Sequence, residues 1–159
     1  MYGMVNKAIE QMVCARFGVD TWERVRARAG VDVDVFVSNE PYPDSVTYSL
    51  VGAASTELGM PAEAVLEAFG EHWVLVTARE GYGPLLRAGG RTLPEFLRNL
   101  PDLHTRIAMI LPELRPPQFL VTDLGPRSLK LHYRTPREGL TAFVVGLLRG
   151  LAKMFTTEI

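Results

Sequence analysis

The chain has 159 residues, 47% of them hydrophobic and 22% charged, which suits one domain with a substantial core and excludes a disordered chain. Seventeen Lys and Arg against eighteen Asp and Glu leave a formal net charge of −1, so no global field favours nucleic acid or an anionic membrane surface. Cys14 is the single cysteine, which excludes an internal disulfide and any multi-thiolate metal site and leaves it as a buried helical residue.

Val5, Ile9, Met12, Val13 and Phe17 recur at helical spacing, and Gly18 ends that helix. Thr21 is placed to cap a second helix containing Trp22, Val25 and Ala29, stopped by Gly30. Residues 31–44 alternate Asp with Val and contain Pro41 and Pro43, so they read as a loop. Helical spacing resumes over 45–58, closed by Gly59, and over 61–79, where Val65, Leu66, Phe69, Trp73 and Val76 point inward. Residues 92–111 are helical in pattern, but Pro101 lacks a donor and clashes with the preceding turn. The expectation is a break there, with Asn99 capping a new helix that holds Pro101 in its first turn. Residues 118–124 and 128–134 alternate as two strands around Gly125-Pro126, a hairpin pattern. The final helix, over 138–157, carries Leu140, Phe143, Val144, Leu147, Leu148, Leu151 and Phe155 on one face, with Gly146 and Gly150 allowing a close neighbour.

The apolar run 140–148 is well short of the roughly 20 residues that span a bilayer. The start of the chain lacks the basic region and apolar core of a signal peptide. A cytoplasmic protein is expected, with no membrane and no nucleic-acid partner.

Two groups of residues carry chemistry. His104 lies among Leu97, Leu100, Ile107, Ala108 and Leu111, an imidazole on the apolar stripe of a helix. Such a histidine is commonly a hydrogen-bonded core residue, and no second ligand at i+4 supports zinc. Haem asks less of the protein, because the porphyrin supplies four nitrogens and one imidazole suffices. The second group is Tyr133-Arg134-Thr135-Pro136-Arg137. In an extended chain Tyr133, Thr135 and Arg137 share a face with Leu129 and Leu131, and Pro136 biases Thr135 toward extended backbone. Two hydroxyls and a guanidinium converging from an apolar surface suit a carboxylate partly removed from water, such as a haem propionate. Taken alone, the same residues read more simply as a strand end with a solvated arginine and a tyrosine packed on the hairpin.

Met1-Tyr2-Gly3 with Val5-Asn6, Leu100-Pro101-Asp102-Leu103-His104, Pro112-Glu113-Leu114-Arg115-Pro116-Pro117-Gln118-Phe119 and Leu131 to Leu140 together resemble the haem-nitric-oxide/oxygen-binding (H-NOX) family. That family includes the haem domain of soluble guanylate cyclase and stand-alone bacterial sensors, and the chain is similar to its cyanobacterial-type members over essentially its whole length. The resemblance implies an α+β fold, with an N-terminal helical distal part, C-terminal helices on a small antiparallel sheet, and haem b between them. It implies His104 as the iron ligand, Tyr133, Thr135 and Arg137 on the propionates, and Pro117 pressed on the haem. Val5, Ile9, Trp73, Phe143 and Leu147, with Tyr2 and Thr77, are the implied distal residues. Thr135 stands where the family usually has serine, and keeps the hydroxyl.

The family usually continues for a strand pair past the position of Ile159, so residues 1–159 read as a single domain trimmed at its C-terminus. The implied function is a sensor of nitric oxide and carbon monoxide, not an enzyme, which signals by releasing the His104 helix to a partner such as a histidine kinase or a nucleotide cyclase. Oxygen-binding relatives carry a tyrosine on the final helix, where this chain has Phe143. The rival readings are an oxygen sensor on the same fold and a haem-free helical interaction domain.

Overall fold

The computed structural model describes residues 1–159. Seven helices and a two-stranded antiparallel sheet make an α+β fold: α1 (Gly3–Phe17), α2 (Val19–Ala29), α3 (Asp44–Leu58), α4 (Ala62–His72), α5 (Arg79–Ala88), α6 (Leu93–Ile110), β1 (Gln118–Thr122), β2 (Lys130–Arg134) and α7 (Thr141–Met154), with a π-helical turn (Trp73–Ala78) joining α4 to α5. No helix is long and apolar enough to cross a membrane.

The apolar stripes sort into two cores. Ile9, Met12 and Val13 of α1 meet Trp22 and Val25 of α2, Leu50 and Ala54 of α3, and Val65 and Phe69 of α4 in the N-terminal core. Val74, Leu86, Phe96, Leu97, Leu103 and Leu151 make the second, beside the sheet. The two are joined where α7 crosses α4 almost backbone to backbone. A Cβ on Gly70 would stand 2.2 Å from the Phe143 carbonyl oxygen, and one on Gly146 would stand 2.1 Å from that of Glu67. Gly150 likewise lies against Val74 and Glu71, so the close neighbour expected at Gly146 and Gly150 is α4 with the π turn that follows it.

Several boundaries differ from the sequence expectation, each for a local reason. Thr21 does not cap α2, which starts at Val19 behind Gly18 at φ 90°; its hydroxyl donates to the Phe17 carbonyl at 2.8 Å. Cys14 is helical but only partly buried, and burial pushes its thiol pKa up. The helical run expected over 61–79 continues through the π turn to Ala88, with a kink at Tyr82 (φ −133°, ψ 21°) and Pro84 inside α5.

The break expected at Pro101 does not occur: α6 is one 18-residue helix with Pro101 exposed in its interior. Its cap is Thr92, whose hydroxyl accepts from Glu95 N at 3.4 Å, while the Glu95 carboxylate accepts from Arg91 N at 2.9 Å. The Thr-x-x-Glu spacing is that of a capping box. Asn99 donates to the Gly89 carbonyl at 2.9 Å instead of capping. The stripe Phe96, Leu97, Leu103 is buried on both sides of the proline. At about 1.5–3 kcal/mol per buried large side chain, those three offset the roughly 3 kcal/mol that an interior proline costs.

The hairpin pairs Gln118 with Arg134 and Phe119 with Tyr133, and closes through Gly125 N to the Ser128 carbonyl at 2.7 Å. Both strands are shorter than expected, because Asp123 turns to φ 51° just past β1.

Candidate functional site

A cavity of about 660 Å³ lies between the two cores, and 25 of its 35 lining residues are hydrophobic. That volume falls within the range of small-molecule and cofactor sites. Its walls are the first turn of α1, the π turn, α5, α6, the loop 111–117, the inner face of the hairpin and α7.

Expected residues from both chemical groups reach this one space. His104 projects from the inner face of α6 into the cavity, with its ring 5.9 Å from that of Phe119 between centroids. Burial pushes its pKa below the ordinary 6.5, so the imidazole is neutral at physiological pH and keeps the lone pair a metal needs. No three His, Cys, Asp or Glu side chains stand together as a metal-binding group. His104 thus stands outside any three-residue set of the kind zinc uses, whereas haem would ask for the one imidazole.

On β2 the burial alternates as the strand pattern requires, with Leu131, Tyr133, Thr135 and Arg137 inward and His132, Arg134 and Pro136 exposed. Tyr133 stacks on Phe119 at 5.3 Å. The Thr135 hydroxyl accepts from Arg137 N at 3.1 Å, which folds the chain so that Arg137 faces the cavity. The guanidinium is held on two edges: Nε donates to Asp44 Oδ2 at 2.7 Å and Nη1 to the Arg115 carbonyl at 2.8 Å. Burial pushes the Asp44 carboxyl up, but hydrogen bonds from Arg137 and from the Met1 nitrogen outweigh it and hold the pKa below the ordinary value.

Pro117, Val5, Trp73, Phe143 and Leu147 line the cavity, and so does Tyr2, whose hydroxyl accepts from Glu113 N at 3.0 Å. Phe143 packs on Phe69 with ring centroids 4.9 Å apart. Ile9 does not line it: only the first turn of α1 reaches the cavity, and Ile9, one turn on, is wholly buried in the N-terminal core. Thr77 is absent from the lining too, and its buried hydroxyl has no partner.

Two polar lining residues, Tyr82 and Asp44, escaped sequence reasoning. Tyr82 sits on α5, with its hydroxyl donating to Met4 Sδ at 3.6 Å. It lies in a segment whose helical phase is shifted by the π turn and the kink, so no periodicity pointed to it. Asp44 opens α3 and reads in sequence as the end of a loop.

The haem-NO-binding family matches residues 2–159. Soluble guanylate cyclase gcy-32 of Caenorhabditis elegans is 33% identical over 96% of this chain, and gcy-31 of the same organism 29% identical over 100%; the chain spans 23% of the length of each. An H-NOX protein from S. oneidensis in the Fe(II)NO ligation state superposes with a TM-score of 0.86 at 25% identity, covering 98% of this chain and 86% of that one. A family match over nearly the whole length, on a fold whose cavity gathers His104, Tyr133, Thr135 and Arg137, establishes that the chain belongs to the haem-NO-binding, or H-NOX, family.

Proposed function

We propose that this haem-binding gas-sensor domain takes haem b, held by His104 from one side, and responds to nitric oxide and carbon monoxide. The observation that carries the reading is the placement of the half-buried His104 imidazole and a paired guanidinium on one apolar cavity. Haem supplies the ferrous iron at which these gases bind. The chain's own residues do the rest. His104 donates its lone pair from α6, and Tyr133, Thr135 and Arg137 receive the propionates at the strand end. Pro117 would bear on the ring, and Val5, Trp73, Phe143 and Leu147, which line the cavity, would keep water from the gas-binding side. Ile9 supports that wall from behind.

Gas binding that weakened the bond to His104 would free α6, whose far end exposes Met109 and Ile110. A cytoplasmic signalling partner, a histidine kinase or a nucleotide cyclase, reads that movement. The domain senses and does not catalyse; its cyclase relatives are much longer chains.

A UV–visible spectrum of the ferrous protein before and after nitric oxide tests the reading. His104→Gly should take up haem only with free imidazole supplied. A parent-like ferrous spectrum in that variant without imidazole would remove His104 from the iron. Tyr82, a hydroxyl in the cavity wall, is the one observation that favours the oxygen-binding alternative.

A further inference from the structure

Arginine offers five N–H donors in a rigid fork, and two of those on Arg137 are already engaged. Nε donates to Asp44 Oδ2 at 2.7 Å and one Nη1 hydrogen to the Arg115 carbonyl at 2.8 Å. Asp44 belongs to the first turn of α3, in the N-terminal helical part, whereas Arg137 follows β2 in the other part. Both line the cavity. The Asp44 carboxylate is itself pinned, because Oδ1 accepts from the Met1 nitrogen at 2.6 Å. A second link runs beside the first, from the Tyr48 hydroxyl, one turn along α3, to the Glu138 carbonyl at 2.9 Å. The guanidinium is thus clamped at Nε and Nη1, with Nη2 left over.

We propose that Asp44 is a positioning residue for Arg137, fixing the guanidinium so that its remaining Nη2 edge meets a propionate carboxylate at the cavity wall. The inference rests on the haem reading and extends it: the group that holds the carboxylate is set by a residue of the opposite part of the molecule. A planar fork with its rotation already fixed loses less freedom when it binds. An Arg137 released from Asp44 keeps its charge and loses this preorganisation.

The experiment compares transfer to apomyoglobin of haem and of haem dimethyl ester, whose propionates carry no charge. Asp44→Ala should speed haem loss about tenfold, the equivalent of one charge-assisted hydrogen bond, and leave loss of the dimethyl ester unchanged. Asp44→Asn keeps an oxygen acceptor and should restore part of the effect; it also serves if the alanine variant does not fold. Asp44→Ala combined with Arg137→Ala should lose haem no faster than Arg137→Ala alone, since the two residues act through one group. Equal acceleration for haem and its ester would make Asp44 a general structural clamp and overturn the proposal. Unchanged or slower haem loss would overturn it as well, the latter by showing that Asp44 competes with the propionate. A parent chain that takes up neither porphyrin defeats the haem reading itself, an outcome distinct from the failure of Asp44 alone.

Discussion

The choice between nitric oxide and oxygen turns on hydrogen-bond donors in the cavity wall, and Tyr82→Phe isolates the tyrosine in question. Oxygen on ferrous haem draws negative charge and is held by a donor, while nitric oxide and carbon monoxide bind without one. Phe143 has no donor. The Tyr82 hydroxyl is already directed to Met4 Sδ at 3.6 Å, a weak acceptor, so redirecting it toward a bound gas forfeits little. A hydrogen bond to a charged acceptor contributes roughly 1.5–3 kcal/mol, or about 10- to 150-fold in dissociation. If Tyr82 keeps to Met4, the parent forms no lasting oxygen complex in air, and Tyr82→Phe leaves carbon monoxide dissociation within about twofold, the scatter of a substitution that removes no ligand contact. Stopped-flow spectroscopy of the ferrous protein mixed with aerated buffer, then with carbon monoxide, reads both. An oxy spectrum that persists in the parent and decays at least tenfold faster in Tyr82→Phe would refute the reasoning and establish the oxygen-sensor alternative.

Three further outcomes concern the frame around the site. Gly146→Ala drives a Cβ to 2.1 Å from the Glu67 carbonyl oxygen, and backbone cannot swing aside as a side chain can. Overpacking of this kind costs about 1–3 kcal/mol, so a thermal melt should fall by roughly 2–12 °C, and an unchanged melt would show that α4 and α7 separate freely. Pro101→Ala restores the donor for the Leu97 carbonyl and should raise the melting temperature by roughly 2–8 °C, a net gain of about 1–2 kcal/mol after the looser unfolded chain is counted; a fall would mean that the proline fits α6 better than a regular turn does. His72 and His104 both have pKa values pushed below 6.5, chiefly by burial, so the unfolded chain binds protons that the folded apoprotein refuses. Stability is therefore full above pH 6.5 and declines as the pH falls through that value. Urea titrations of the apoprotein at pH 7.5 and pH 5.5 should show the lower midpoint at pH 5.5, and the reverse order would contradict both assignments.

What the sequence could reveal follows from the range over which each signal acts. The period-two alternation of β2 is strictly local, and it put Tyr133, Thr135 and Arg137 on one face, as found. The period of α6 likewise turned His104 inward. Helical period put Ile9 on the inner stripe of α1, as found; its place at the distal wall was implied by the resemblance alone, and the structure sets it in the N-terminal core because α1 leaves the cavity after one turn. At Pro101 a local steric rule met a longer apolar stripe together with the Thr92–Glu95 cap, and the sum of burial and capping prevailed. The Thr-x-x-Glu signal was legible there and outweighed the weaker cap at Asn99. Asp44 was beyond reach, since its partner Arg137 lies 93 positions along the chain and only the fold joins them.

The same contacts decide which part of the molecule can answer an event in the cavity. Helix α7 is locked to α4 through glycines that bring backbone against backbone, and interlocked cores resist gradual deformation. The wall carrying Phe143 and Leu147 is therefore fixed to the N-terminal core. Helix α6 is held differently. Its inner stripe meets the cavity and β1, its Phe96 reaches Phe155 with ring centroids 5.6 Å apart, and its C-terminal end exposes Met109 and Ile110 to solvent. On the proposed reading the bond from His104 is a principal tether of that helix on the cavity side. Loosening that tether would move α6 and the hairpin beside it against the α4–α7 pair. Arg137, clamped to Asp44, would on that reading keep the propionate edge in place and serve as the pivot. A sensor built this way signals from the His104 side, and a spin-label distance from Met109→Cys to a cysteine placed at Glu63 on α4, in a Cys14→Ser background, should change on adding nitric oxide. A pair between Glu63 and Arg149 on α7 should not; equal changes in both distances would show that the whole molecule breathes and that α6 has no special freedom.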